Sequence, residues 1–537
     1  MPREGTRRRF LFQTLGVIGG ALVTGDFLPL LAEAAKRKQV LRVAVDRDFE
    51  TLRADFSAGY TNSMLKRLIY TTPVLWGTKP RPDGSLTYDP DTVEGRLVIA
   101  HKVFEDRQTI EFTLRPHAKF ANGDPIDAQA LKDSYTMHIT NRGSGASQLK
   151  VSGLPSADRI EVIDDMRLRL SLDRPVAWGV SSHSLHSGGS VVHAKEILKH
   201  ATPDDPTGLK WLETKTVESG PFVIDNWEKG TMMSLVPNPH SFEPPKLERI
   251  ILQIVPDPST RRIVLERGDA DFAMQIATKD IPDLRKASGM KVTSYPSARG
   301  WWLGMTWRKE PYNNLHFRRA IAWAIPYDTL LQVVTRGLAQ RLRSCVSMNI
   351  SGYMKEFWPY ETNLEKAREE LAQAQVRDGF SVTVPVSAGD AFDEESIVLI
   401  KESLAQLGMK LTLQKMSIGQ KRTLLVKTQV DMAIYDFRPF VPDVGYYIYW
   451  NWLPDSLNNY WGYGNPEAQE LGNEVITMAV DSPERHAKLR RFQEIINGEV
   501  GTIPLFSEFD NAVMRDYVQG YVSYPDGIAM LSKLSAE

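Results

Sequence analysis

Between Val382 and Leu413 the sequence passes from a strand into a helix and back into a strand, and that passage restricts the fold more than any other stretch. Val382–Val386 is a short apolar run rich in valine. Glu394 to Leu407 follows a helical pattern closed by Gly408, and Met409 to Leu413 is extended again. A glycine just past the last helical turn accepts the left-handed conformation that ends a helix. A helix between two strands is the crossover that lets those strands run parallel. The chain therefore reads as α/β in class.

The rest of the sequence fills in around this unit. Val40 to Val45 alternates apolar and polar residues and reads as a first buried strand, and Asn62 to Tyr70 as a helix. Leu97–His101 and Thr109–Leu114 flank Glu105-Asp106-Arg107 as a hairpin, and Ile160–Ile163 with Arg167–Leu172 form a second. Asp127 is placed to cap the helix through Leu131 and Met137, because its carboxylate accepts free amide hydrogens of the first turn. These hairpins and that helix make a small α+β unit. Residues 218–223, 233–236 and 247–255 read as strands, and a short helix from Thr260 ends at Gly268. From Asn314 the apolar stripe Phe317, Ala320, Ile321, Ala324 predicts a helix, and residues 309–499 read as a second α/β unit.

The chain has 537 residues, too many for one compact core. Its formal net charge is −1, from 65 basic and 66 acidic residues, which leaves no basic field for nucleic acid. One cysteine, Cys345, excludes an internal disulfide, and it reads as a small buried apolar residue.

The first 35 residues read as a targeting segment of the twin-arginine type. Thr6-Arg7-Arg8-Arg9-Phe10-Leu11 precedes an apolar stretch from Leu15 to Leu31, and Ala32-Glu33-Ala34 supplies small residues for a cut after Ala34. Asp26, Pro29 and four glycines dilute the run below what a bilayer span needs. No cysteine is available for a lipid anchor. Removing Arg3, Arg7, Arg8 and Arg9 together with Glu4, Asp26 and Glu33 leaves a mature charge of −2. The expected location is the periplasm.

No catalytic constellation emerges. The G-x-x-x-x-G-K-[ST], H-E-x-x-H and G-x-S-x-G patterns are absent from the sequence. His183, His186 and His193 lie near one another but without firm ligand spacing, so neither a metal nor a cofactor is expected. Aromatic residues do cluster. Trp301 and Trp302 follow Arg299, and Tyr446, Tyr447, Tyr449, Trp450, Trp452, Tyr460 and Trp461 crowd together after Asp436 and Arg438. Rings that cover apolar parts, with one carboxylate and one guanidinium to fix charged ends, suit an amphipathic solute. A domain core with ordinary ion pairs is the competing account of the same residues.

Several segments, in order, resemble the extracellular solute-binding proteins of family 5, the dipeptide, oligopeptide and nickel-binding components of ABC importers. The run Val103 to Ala128 carries Phe112-Thr113-Leu114-Arg115 and Phe120, then the Asn122-Gly123 turn, like the family's F-x-L-R-x-x-x-x-F hairpin. Ser219-Gly220-Pro221-Phe222 resembles T-G-P-Y, Leu265 to Asp271 resembles L-x-x-G-E-x-D, Phe317 to Ile325 resembles V-R-Q-A-x-x-x-A-I, and Ile503–Phe506 resembles the return strand.

The resemblance implies a periplasmic-binding-protein fold of type II, with two hinged lobes and an added α+β domain. Domain I would be 36–83, 210–308 and 500–537, domain II 84–209 and domain III 309–499. It implies a binding protein rather than an enzyme, working as a monomer with membrane permease and ATPase subunits. Peptide-binding members pair an aspartate in W-x-x-D-x-x-x-P with the peptide amine. Ile434 to Pro439 stands there, with Asp436 as first choice and Asp443 as second, and the tryptophan is replaced. Asp436, Arg438, Trp301, Trp302, Tyr446, Trp450 and Asp443 are therefore the expected ligand-binding residues. The expected solute is a peptide or similar charged amphipathic molecule. An oligosaccharide or opine-like conjugate, an exported enzyme, and a chaperone or sensory partner are the alternatives.

Overall fold

The computed structural model describes residues 39–56, 59–82, 85–376 and 380–536, so the expected signal segment lies outside the described residues. The chain opens with β1 (Val40–Val45), α1 (Gly59–Ile69), β2 (Val74–Pro80) and β3 (Leu86–Gly95). Next come β4 (Val98–Val103), β5 (Thr109–Leu114), α2 (Ala128–Asn141), α3 (Ser144–Val151), β6 (Ile160–Asp164) and β7 (Arg167–Ser171). Strands β4-β5-β7-β6 form one antiparallel sheet, in which both expected hairpins appear. Alternation decides its faces: Ile110, Phe112 and Leu114 are buried while the residues between them are half-exposed. Asp127 accepts the Ala130 amide hydrogen at 2.8 Å and starts α2.

Among the described residues the main sheet has nine strands, in the order β16-β12-β17-β11-β1-β10-β9-β8 with β13 paired to β17, where β16 is Met432–Phe437 and β17 is Ile503–Arg515. Its members are β8 (Phe222–Glu228), β9 (Met232–Pro237), β10 (Arg249–Ile254), β11 (Phe272–Ala273), β12 (Met290–Met305) and β13 (Ala339–Arg341). Between β10 and β11, α4 (Pro258–Arg267) starts on the side chain of Asp257 and ends at Gly268, whose φ of +82° only glycine adopts without strain. Strand β1 runs parallel to β10 and β11, and its Leu41 and Val43 enter a core with Leu68, Leu235 and Met514.

The second α/β unit follows. Helix α5 (Leu315–Ala324) is capped by Asn314 and stops where Ile325 turns extended before Pro326. After α6 (Leu364–Ala374) come β14 (Ser381–Ser387), α7 (Ala391–Ala405) and β15 (Lys410–Met416). Strands β14 and β15 pair in parallel, Val382 opposite Leu411, with α7 as the crossover. The chain continues through α8 (Ile418–Val426), β16 (Met432–Phe437), α9 (Val444–Asn451), α10 (Pro466–Val475), α11 (Pro483–Gly498) and β17 (Ile503–Arg515).

Two long strands tie the halves together. Strands β12 and β17 pair antiparallel from Met290 opposite Arg515 to Leu303 opposite Ile503. Their register breaks between Pro296 and Gly300, so that Ser297, Ala298 and Arg299 bulge opposite Glu508. Beyond the bulge β12 pairs with β16, Trp301 opposite Asp436, and packs in the core of the 309–499 segment. The main sheet is thus continuous from one half into the other. Among the described residues no helix is long and apolar enough to cross a membrane.

Candidate functional site

The β12 bulge carries charge into the seam between the halves. Ser507 Oγ donates to the carbonyls of Ser297 and Arg299 at 2.9 and 3.0 Å, and Asn349 Nδ2 donates to Ser297 at 2.8 Å, so the bulge is held from both sides. From it the Arg299 side chain reaches Asp436 Oδ2 at 2.7 Å and Glu508 Oε1 at 3.2 Å. Arg438, just beyond β16, makes a two-pronged pair with Asp510 at 3.0 and 2.6 Å and lies 3.7 Å from Glu508. Glu508 and Asp510 are alternate residues of β17 and so lie on one face.

Burial and charge oppose each other at this cluster. Burial acts to lower both guanidinium pKa values, yet the carboxylates beside Arg299 and Arg438 outweigh it and hold both above the ordinary arginine value. Burial pushes the Glu508 carboxyl up, against the pull of the two arginines. Asp390, which caps α7, is likewise raised by burial, and it lies within the field of Arg299. Four carboxylates therefore share two guanidiniums. The cluster has an excess of acceptors, and the Asp436 side chain remains 35 % exposed. Chemically it can take a cationic or multiply hydrogen-bonding group between its carboxylates.

The expected aromatic residues divide differently. Alternation sends Trp301 and Trp302 to opposite faces of the sheet, and both are buried. Trp301 stands against Phe392 and Phe506, while Trp302 stacks on Tyr435 and donates its indole N–H to Ser344 at 3.0 Å. Tyr446, on α9, donates to Gln148 of α3 at 3.0 Å and meets Trp178 edge to face. Trp450 is half-buried beside Tyr446 and Tyr449. Trp302, Tyr435, Tyr446 and Trp178, with Trp450 packed against them, belong to one apolar cluster that unites residues of the 84–209 segment with residues of 435–496, whereas Trp301 lies in a separate cluster with Phe506. Asp443 caps α9 and pairs with the buried guanidinium of Arg485 at 2.6 Å. Of the seven expected residues, Asp436 and Arg438 share the charged cluster with Arg299. Tyr446 and Trp450 lie at the seam with the 84–209 segment, and Trp301, Trp302 and Asp443 serve packing or capping contacts in this conformation.

Arg299, Glu508, Asp510 and Asp390 complete the cluster and were not among the expected residues. The legible signal was Glu508-Phe509-Asp510, two acids on one face of a strand. The seam is extensive. Ala177 N–H donates to Ile476 at 3.3 Å and Arg107 to Thr477 at 2.8 Å. A cleft of about 630 Å³ opens along its outer edge between Arg107, Val176, Val180, Ser351 and Val480. Of the histidines that lie near one another in sequence, His183 bonds Tyr135 and His193 bonds Asp124, and no group of metal-binding residues occurs among the described residues.

Comparison with known proteins agrees with this architecture. Residues 92–499 match the family described as bacterial extracellular solute-binding proteins, family 5 middle. The probable D,D-dipeptide-binding periplasmic protein DdpA of Escherichia coli (strain K12) is 28 % identical over 439 residues, 81 % of this chain and 83 % of that protein. The glutathione-binding protein GsiB of Salmonella paratyphi A is 25 % identical over 332 residues, 61 % of this chain and 62 % of that one. Among solved structures, the periplasmic binding protein DppA of Helicobacter pylori, in complex with the peptide STSA, superposes with a TM-score of 0.78 at 21 % identity, covering 94 % of this chain and 100 % of that one. The likeness shows the fold: an α/β periplasmic-binding-protein architecture with multiple sheets.

Proposed function

Because this chain belongs to the bacterial extracellular solute-binding proteins of family 5, we propose that it is the periplasmic binding component of an ABC importer, capturing a peptide or similar charged amphipathic solute. The observation that carries the reading is the cluster at the β12 bulge, where Asp390, Asp436, Glu508 and Asp510 surround Arg299 and Arg438 between the two halves. An excess of half-buried carboxylate at a seam is a receptor for a solute's amino group. Rings at the same seam, Tyr446 and Trp450 first, would cover its apolar parts.

We assign residues 36–83, 210–308 and 500–537 to one lobe, 84–209 to its extension and 309–499 to the second lobe. The bulge in β12 is the hinge, since it marks where the strand leaves the first lobe's core: residues 300–305, although continuous with the 210–308 segment, are laddered to β16, pack in the second lobe's core and turn with that lobe. Asp436 and Arg438 ride on the second lobe and meet Glu508 and Asp510 on closure. The closed monomer then docks on membrane permease subunits driven by ATPases. Arg7-Arg8-Arg9-Phe10-Leu11 supports twin-arginine export.

Native mass spectrometry of residues 35 onward, as purified and after unfolding and refolding, tests this reading. A co-purifying small molecule that disappears on refolding is the expected result, and its mass identifies the solute class. If no mass co-purifies and no member of a peptide panel raises the melting temperature, the reading fails.

A further inference from the structure

The C-terminal segment 524–530 meets the charged cluster from one side and is held from the other by α1. Asp526 pairs with Arg67, which also donates to the Ile528 carbonyl at 3.2 Å and lies over the Tyr524 ring. Tyr60, two turns earlier on α1, accepts the Ala529 amide hydrogen at 3.0 Å. Within the segment, Asp526 accepts the Ile528 amide hydrogen at 3.1 Å and the Gly527 amide donates to Tyr524 at 2.8 Å. Ile528, Ala529 and Leu531 then enter the core that holds Leu41 and Val43. Residues 522–530 are all buried.

At Gly527 this fixed segment receives a side chain from elsewhere. Arg438 follows β16, in the 309–499 segment, and its guanidinium lies against the Gly527 backbone. A Cβ built on Gly527 would stand 2.8 Å from Arg438 Cζ and closer still to Nη1. The two terminal nitrogens of the same guanidinium hold Asp510 at 3.0 and 2.6 Å, and the Arg438 side chain is 15 % exposed. Gly527 also has a φ of +71°. Two demands therefore meet at one residue: a left-handed backbone, and a bare face on which a planar guanidinium can lie. Gly268, at the end of α4, meets the first demand alone. Its φ is +82°, and nothing stands within 4 Å of a Cβ built there. The two bonds to Asp510 fix the plane of the Arg438 fork, so a methyl group at 527 that pushes the fork aside costs at least one of them.

We propose that Gly527 is a positioning residue for solute capture: on closure Arg438 of the second lobe is seated on it, and the bare backbone at 527 sets how firmly the closed form holds. The inference rests on the solute-binding reading and adds a part for the C-terminal segment, which acts through Arg438 rather than by touching solute. Asp526 and Ala529 tie the segment to α1 on either side of Gly527, so an added methyl displaces the guanidinium and not the backbone. The closed form then loses its two-pronged pair, while an open form with Arg438 withdrawn loses nothing. Only such a difference between two states shifts the balance between them.

The test is pulsed electron resonance on the full chain with nitroxides at Glu228→Cys and Glu402→Cys, exposed residues of the two lobes. Cys345 is buried and takes no label. The ratio of short, closed distances to long, open ones is read in protein as purified and in protein refolded free of solute. The wild type as purified should be mostly closed, and Gly527→Ala should lower the ratio at least fivefold. Gly268→Ala, which carries the same backbone strain and touches nothing, should leave it within twofold. In an Arg438→Met chain, whose ratio is already low, adding Gly527→Ala should change it less than twofold. Circular dichroism of each variant establishes that it is folded. Should Gly527→Ala fail to fold, Gly527→Asn, which tolerates the left-handed backbone, takes its place. A ratio that survives the change at 527, an equal fall in the Arg438→Met chain or with Gly268→Ala, or a wild type that is open in both preparations overturns the seat. The co-purifying mass is measured on the same samples. Its presence with any of these outcomes leaves the solute-binding reading standing. Its absence counts against that reading, while the distances still judge the seat.

Discussion

Asp443 and Asp436 each sit beside an arginine, yet their removal should have opposite consequences. Asp443 and Arg485 are 7 % and 1 % exposed, so Asp443→Ala strands a buried guanidinium and uncaps α9. The expected loss is about 3–5 kcal/mol of unfolding free energy, read by urea denaturation. Asp436→Asn keeps the shape and leaves Arg299 paired with Glu508. It should change stability by less than about 1 kcal/mol while weakening solute binding at least tenfold, or about 1.4 kcal/mol, read by calorimetry. Lys66 offers a pH test. Its folded value of about 7 lies below the ordinary 10.5, so between these the unfolded chain holds more protons. Its penalty is full below pH 7 and is relieved as pH rises toward 10.5, so stability should climb across that window. Lys66→Met should flatten the slope, with Asp55, Arg53, His186 and Arg67 unchanged around it. Asp436 and Arg438 were legible in sequence because they sit in one short segment. The pairing of Arg299 with Glu508 was not, because the contact that joins them spans 209 residues.

At the scale of elements, whatever is fixed locally could be read. The hairpin of β4 and β5, the cap at Asp127, the stop at Gly268 and the parallel pair around α7 all follow from neighbours in sequence. Strands β12 and β16 resist such reading. They are covered on both faces where they enter the core of the 309–499 segment, so Trp301-Trp302-Leu303 and Met432–Ile434 show no alternation, and Pro296 and Gly300 look like breaks. The rings at 446–461 share this ambiguity, since apolar rings suit a core and a ligand wall alike. Gly304 exposes how tightly β12 is covered: a Cβ there would lie 1.9 Å from the Trp461 ring. Gly304→Ala should lower stability by about 1–3 kcal/mol, seen as a fall in melting temperature, because a two-ring indole has nowhere to shift in a filled core.

For the molecule as a whole, closure should be measurable. In this conformation residues 309–499 contact 84–209 through Tyr446–Gln148 and Arg107–Thr477, and contact 500–537 through Arg438–Asp510. Small-angle scattering of refolded, solute-free protein should give a larger radius of gyration than the same protein with solute, and saturating solute should restore the compact value. At a hundred times the dissociation constant, binding adds about 2.7 kcal/mol to stability. An unchanged radius would mean that the seam stays shut and that the solute enters elsewhere.

The ion pair of Arg67 with Asp526 joins positions 459 residues apart, and β11, next to β1, leans on β17. At roughly 5–20 residues per second of synthesis, Asp526 follows Arg67 by roughly 20–90 s. Throughout that interval the main sheet has β1 but lacks β17, and Arg67 lacks its carboxylate partner. The early segments that carry β1 and Arg67 therefore wait that long for the partners that β17 and Asp526 supply, however early the segments between them acquire shape.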